Sequence, residues 1–241
     1  MTVEFEPAQG EPDHYDEAYY DGNGQAGDRP ALRWYVRMIR RYVGVGPYLD
    51  FGCGTGHLLR RLAAHGSASG FEISPYSAEL SRCTAPGCPV HTSLDTIPSG
   101  VFRGISAIHV LEHLDDATAT SVLACWRRVL VPGGRALVVM PDPAGKARAL
   151  SGEGWTGYQD PTHINLKPHA QWRQFLVDAG FIVLREGSDG LWNVPYRRLP
   201  KLLDAGLHAV PSLTQFLSGR LFLRPGSGES SVFVIEAPPA P

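Results

Sequence analysis

From Leu32 onward the apolar positions switch between two periods. Leu32, Tyr35, Val36, Ile39 and Val43 recur at helical spacing, and Gly44 and Gly46 mark the end of that helix. The run PYLDFG reads as a short buried strand. A glycine loop follows it, and then a second helix with Leu58, Leu59 and Leu62 on one face. ASGFEI is the next strand, and Ser74 caps a helix that has Pro75 in its first turn and runs to about Arg82. PVHTS predicts a short third strand. GISAIHVL predicts a fourth, apolar on both faces as a central parallel strand should be. Val122, Leu123, Trp126, Val129 and Leu130 line the following helix, which Pro132-Gly133-Gly134 stops, and RALVVMP is a fifth strand. A Gly-rich connection leads to a helix with Pro168 near its start, Trp172, Phe175, Leu176 and Ala179 along one face, and Gly180 at its C-terminal cap. FIVLRE and SSVFVIEA are the last two strands.

Strands that alternate with helices imply an α/β fold, a doubly wound sheet with right-handed crossovers and helices on both faces. The final pair breaks the rhythm. Residues 191–228 read as a partly helical insertion, with Leu199, Leu202 and Leu203 and then Leu213, Phe216 and Leu217 at helical spacing. Residues 1–31, rich in Gly, Pro, Asp and Glu, read as a flexible segment carrying Tyr15, Tyr19 and Tyr20, ahead of a single domain over 32–241.

A chain of 241 residues with 43% hydrophobic content suits one such domain with a well-buried core. The net charge of -2 supplies no basic surface for nucleic acid, so none is expected as a partner. Cys53, Cys83, Cys88 and Cys125 show neither a CxxC pair nor zinc spacing and are expected to be free thiols. The acidic N-terminus lacks the apolar core of a signal peptide, and no apolar run approaches the ~20 residues of a membrane span. A cytoplasmic protein without stable membrane insertion is the expectation.

Asp50-Phe51-Gly52-Cys53-Gly54-Thr55-Gly56 lies between the first strand and its helix, where α/β sheets bind ligands. Glycines allow a tight turn and close backbone approach, and the helix start favours an anionic group. The spacing is G-x-G-x-G, without the third glycine of the nicotinamide fingerprint. Asp50 would repel a pyrophosphate but attract an ammonium. Glu72, ending the second strand, can accept hydrogen bonds from both hydroxyls of a ribose. The glycine spacing and Asp50 point to S-adenosylmethionine more than to a dinucleotide, while Glu72 suits an adenosine ligand of either kind.

DFGCGTG, GFEIS, HVLEHL and LVPGGRALVVMP, in that order over roughly residues 32–185, resemble the class I Rossmann-like S-adenosylmethionine-dependent methyltransferases, in the branch acting on small molecules and glycans. The resemblance implies a seven-stranded sheet, mostly parallel with an antiparallel last strand, and S-adenosylmethionine as cofactor. It implies that Gly52, Gly54 and Gly56 line the cofactor, that Glu72 holds the ribose and that Ile73 lies beside the adenine. Ser93 and Leu94 fall where the family contacts adenine, although Ser93 stands where an Asp is usual. His109 and Val110 fall near the methionine portion and the transferred methyl. Tyr19 and Tyr20 resemble an N-terminal aromatic segment that folds over the cofactor in many relatives.

Methyl transfer is an in-line displacement in which the sulfonium supplies the driving force, so the protein mainly aligns the nucleophile. His163, in DPTHIN, is the candidate base for a hydroxyl acceptor, since an imidazole titrates near neutral pH. The plainer reading has His163 holding its loop and Asp160 capping a turn. His113 is the second catalytic candidate. His109-x-x-Glu112-His113 resembles the Glu-x-x-Glu-His of ubiquinone-biosynthesis O-methyltransferases, which is associated with a divalent metal. A hard cation prefers oxygen ligands, and His109 replaces the first Glu, so no metal is expected. Trp155 and Tyr158 read equally as an apolar wall or as core. The insertion, with Arg197, Arg198, Lys201, Arg220 and Arg224, fits an acceptor lid with Trp192 and Tyr196 as contacts, a homodimer contact, a membrane-surface contact or plain packing. The expected function is methyl transfer to an oxygen or nitrogen of a small-molecule acceptor. The alternative is a noncatalytic S-adenosylmethionine-binding regulator.

Overall fold

The computed structural model describes residues 27–191 and 209–238. Tyr15, Tyr19 and Tyr20, and Trp192, Tyr196, Arg197, Arg198, Leu199, Lys201, Leu202 and Leu203, lie outside the described residues. The elements run α1 (Pro30–Met38), a π-helical turn (Ile39–Val43), β1 (Tyr48–Phe51), α2 (His57–Ala63), β2 (Ala68–Phe71), α3 (Pro75–Thr84), β3 (Val90–His91), β4 (Phe102–Ile108), α4 (Asp116–Val129) and β5 (Leu130–Pro141). They continue with α5 (Lys146–Ser151), α6 (Thr156–Gln159), α7 (His169–Asp178), β6 (Ile182–Ser188), α8 (Val210–Ser218) and β7 (Ser230–Glu236).

The seven strands form one sheet in the order β3-β2-β1-β4-β5-β7-β6. The first five are parallel, and β7 runs antiparallel between β5 and β6. The chain winds outward through β2 and β3, then returns to place β4 on the other side of β1. That reversal opens a crevice beyond the carboxyl ends of β1 and β4, the position at which such sheets bind ligands.

Side-chain alternation sends each strand's residues to opposite faces, and two cores result. On one face Leu49, Phe51, Ala136, Val138, Met140, Phe233 and Ile235 pack under Val122, Leu123 and Trp126 of α4 and Trp172 and Leu176 of α7. On the other, Tyr48, Leu137, Val139, Val232 and Val234 pack under α1 and under Leu58, Leu59 and Leu62 of α2. Trp126 is fully buried and meets the Phe51 ring edge-on at 5.4 Å, and Phe51 stacks on Phe71 at 4.5 Å. Each large ring removed from water in this way stabilises the fold by roughly 1.5–3 kcal/mol.

Two details differ from the periodicity reading. Trp34 and Met38 of α1 are buried as well as the predicted stripe. The insertion explains this, because α8 lies against the outer side of α1. The Arg37 guanidinium donates to the Phe216 carbonyl at 3.0 Å, and the Tyr42 hydroxyl accepts from Leu221 N–H at 3.0 Å. Second, β5 begins at Leu130, before the Pro-Gly-Gly that was expected to separate helix from strand. Phe102 pairs with Leu130 and Gly104 with Arg135, so residues 131–134 bulge out, with Gly133 at φ +74°. The third strand shrinks to two residues, Val90 and His91.

Candidate functional site

Asp50 and Ser106 are register partners on adjacent strands β1 and β4, and the Ser106 hydroxyl donates to Asp50 Oδ1 at 2.7 Å. The carboxylate is buried, and Oδ2 has no hydrogen-bond partner. Burial pushes its pKa up to about 7, against the lowering effect of the Ser106 bond. An anionic oxygen held dry without a partner demands a cation or a proton.

Beyond Asp50 the backbone turns through Gly52 (φ +70°), Gly54 (φ +51°) and Gly56 (φ +83°). A Cβ on Gly52 would come within 2.6 Å of Val110 Cγ2, and one on Gly56 within 2.8 Å of the Ser81 backbone. Glycine is therefore required at both places by conformation and by packing. Glu72 pins this loop from the side: Oε2 accepts from Gly54 N–H and Oε1 from Ser74 N–H, each at 2.9 Å. Burial raises the Glu72 pKa, and those backbone bonds oppose it. Ile73 N–H acts on the same carboxylate, and of its four acceptor directions at least one is left for a sugar hydroxyl. Ser74 in turn caps α3, accepting from Ser77 N–H as its position predicts. Ile73 and Leu94 pack half-buried against the core, and Ser93 is exposed at the start of the turn after β3.

Across β4 the chain leaves the sheet through His109, whose φ of +58° is a strained value for a residue with a Cβ. A one-turn helix, Leu111–His113, follows. Glu112 is fully buried; Oε1 meets His109 Nδ1 at 3.0 Å, and Oε2 has no hydrogen-bond partner. Burial raises the Glu112 pKa, but His109 outweighs it and holds the group below the usual range. Burial likewise disfavours charge on His109, yet Glu112 carries its pKa above normal. Burial lowers the His113 pKa, and the Glu112 charge opposes it.

The loop before α7 folds onto this turn because Asn165 staples it there. Asn165 N–H donates to the Glu112 carbonyl at 2.9 Å, and its side-chain amide donates to Leu114 O at 2.8 Å and Asp116 Oδ1 at 2.9 Å. His163 is thereby set 4.7 Å from His113, ring centre to ring centre. Its Nδ1 donates to the Gly157 carbonyl at 2.8 Å. Asp160 Oδ1 accepts from Thr162 N–H at 2.9 Å, the turn cap of the plainer reading of this loop. Trp155 is core, packed with Ala147 and Leu191, while Tyr158 is exposed.

Residues 27–186 match the family model described as "Methyltransferase domain". The chain belongs to this methyltransferase family. None of the curated proteins matches it. Among solved structures it is similar to a S-adenosylmethionine-dependent methyltransferase from Archaeoglobus fulgidus, at 17% identity and a TM-score of 0.60, covering 92% of this chain and 100% of that one. It is also similar to a Thermotoga maritima protein described as a possible histamine N-methyltransferase, at 15% identity and a TM-score of 0.61, over 94% of this chain and 100% of that one. A third is the [4+2]-cyclase SpnF, at 19% identity and a TM-score of 0.56, over 88% and 82% of the two chains. At these identities the likeness is one of fold.

The cofactor of this methyltransferase family is S-adenosylmethionine, and the site suits it: an orphaned Asp50 oxygen for an ammonium, glycines where side chains would intrude, and Glu72 beside the loop. The structure brings Asp50, Gly52, Gly54, Gly56, Glu72 and Val110 into one crevice and groups His109, Glu112, His113 and His163 on its far side. Sequence reasoning gave no role to three residues on these turns and strand ends. Asn165 sat in the quoted DPTHIN run without a role. Asp189, buried at the end of β6, accepts from Ser230 N–H at 2.8 Å; burial pushes its pKa up to about 6, and His109 pulls against that rise. Asp95, two residues past Ser93 and exposed on the same turn, is an acid near where the family has one. No helix among the described residues is long and apolar enough to cross a membrane. All four cysteines are free thiols.

Proposed function

We propose that this chain methylates an oxygen or nitrogen atom of a small molecule, such as a natural product or sugar. S-adenosylmethionine supplies an electrophilic methyl whose departure from sulfur needs no protein nucleophile. Glu72 and the glycine turn hold the ribose end, and Asp50 receives the ammonium through Oδ2. Ile73, Ser93 and Leu94 border the adenine. His109 and Val110 lie on the side where the methyl is presented.

The observation that carries the acceptor reading is the convergence of His113 and His163 beside Glu112, on a loop tied down by Asn165. Imidazoles held over the carboxyl end of β4 can relieve a hydroxyl or ammonium acceptor of its proton. The Nδ1–H of His163 is given to a carbonyl, so the neutral ring keeps its lone pair on Nε2. The Thermotoga maritima protein's description, an N-methyltransferase of a small amine, is in keeping with a small-molecule acceptor.

The test combines binding and turnover. Labelled S-adenosylmethionine incubated with a metabolite extract should pass label to a component of low molecular mass. His163→Ala should keep its affinity for S-adenosylhomocysteine and lose about 100-fold or more in turnover, the usual contribution of a positioned base. Label that stays on the cofactor in every extract would favour the noncatalytic binding reading, which the cyclase on the same fold keeps in play.

A further inference from the structure

We infer that Glu112, His113 and His163 form a binding site for a divalent transition-metal ion on the acceptor side of the crevice. One ligand atom from each of the three residues lies within 4.8 Å of the others. A metal with nitrogen and oxygen ligands at about 2.0–2.2 Å holds neighbouring ligand atoms roughly 3–3.5 Å apart, so closure needs side-chain movements of about 1 Å.

Three independent features point to a cation at this place. Glu112 is completely buried, and Oε2 has no hydrogen-bond partner, although a carboxylate oxygen left so is costly. His163 spends its Nδ1 proton on the Gly157 carbonyl at 2.8 Å, the outer contact that fixes the tautomer and orientation of a metal-binding imidazole. His113 is oriented in the same way through a longer chain. Thr162 Oγ1 gives its proton to Asp160, so it must accept from His113 Nδ1, which lies 2.9 Å away. In this tautomer the lone pair of the His163 ring is on Nε2. Asp160 Oδ2 stands 3.8 Å from His163 Nε2, too far for a hydrogen bond that would claim it.

Two imidazoles and one carboxylate select a borderline ion such as Zn²⁺, Fe²⁺ or Co²⁺ over Mg²⁺ or Ca²⁺. The expectation that no metal binds rested on His109 standing in the first ligand position. The proposed site does not depend on that position: His109 faces Glu112 Oε1, and the third ligand would come from a loop fifty residues further along the chain. The inference rests on the proposed acceptor face and deepens it. With an ion in place, His113 and His163 would hold the metal instead of taking the acceptor's proton themselves; the metal would lower the pKa of a bound hydroxyl, whose proton would pass to solvent.

Untagged protein stripped with a chelator is titrated with Co²⁺ alone, followed by visible absorption, and with Zn²⁺ by calorimetry. One equivalent of each should bind. Affinity should fall at least about 100-fold in His163→Ala and in Glu112→Gln, and about 10-fold in Thr162→Val, which removes only an outer contact. Affinity for S-adenosylhomocysteine should stay within about threefold in His163→Ala and Thr162→Val, and an unchanged circular dichroism spectrum should report that all the variants, Glu112→Gln included, are folded. Absence of stoichiometric binding to the parent, or unchanged affinity in His163→Ala, would overturn the site. A protein that binds the metal but not S-adenosylhomocysteine would sink the cofactor reading and leave the metal site standing.

Discussion

Asp50 and Gly52 show how much one residue decides in this crevice. The Asp50 carboxyl titrates near 7 in the folded chain because it is buried, against about 3.9 when unfolded. The folded state therefore holds an extra proton between those values. Stability from this group is full below pH ~4, declines as pH rises toward 7, and changes little above. An ammonium beside Oδ2 reverses the preference, so binding expels the proton. Affinity for S-adenosylhomocysteine should rise up to about tenfold per pH unit below 7 and level off above, and Asp50→Asn should flatten that profile in calorimetry. Gly52→Ala would drive a Cβ to 2.6 Å from Val110 Cγ2 at φ +70°. Cofactor affinity should drop by more than about tenfold, since the positive φ alone costs roughly 1–2 kcal/mol. The double variant with Val110→Ala should recover part of it; no recovery would mean that the steric contact is unimportant.

Among the secondary elements, α8 carries a buried polar anchor. Gln215 is fully buried. Its amide donates to Ser188 O at 2.8 Å and Asp189 O at 3.2 Å, and its oxygen accepts from Phe222 N–H at 2.9 Å and Leu223 N–H at 3.0 Å. One residue thus ties the helix to the end of β6 and to the returning chain. Gln215→Ala should destabilise the protein by about 2–4 kcal/mol, because several buried backbone groups lose their partners. Limited proteolysis should then cut first around α8. A variant with an unchanged urea midpoint would show that water replaces the amide at little cost. The helical pattern at Leu213, Phe216 and Leu217 announced α8, but the polar residue that anchors it carries no periodic signal.

The whole sheet is sealed by β7, which arrives last and slots between β5 and β6. Val232, Phe233, Val234 and Ile235 have almost no exposure, so this strand feeds both cores at once. Phe233→Ala should cost about 3–5 kcal/mol, as for other large buried rings. Its unfolding should remain one transition, with tryptophan fluorescence and circular dichroism coincident. Separate transitions would contradict a single cooperative unit built around the sheet.

Most of this architecture is legible along the chain because it comes from short-range chemistry. Strand and helix periods, the Ser74–Pro75 cap, the glycine spacing and the acids at 50 and 72 all act within a few residues of themselves. Local pattern could not reveal that α1 is buried on a second side, since the covering helix comes from residues 210–218. Nor could it join His163 to His113, because Asn165 makes that junction by bonding to groups some fifty residues away. The state of Asp50 is equally a tertiary property: its pKa moves because neighbouring strands and helices exclude water from a carboxylate. Local sequence chooses the elements, and long-range burial decides which polar groups are left facing one another without solvent.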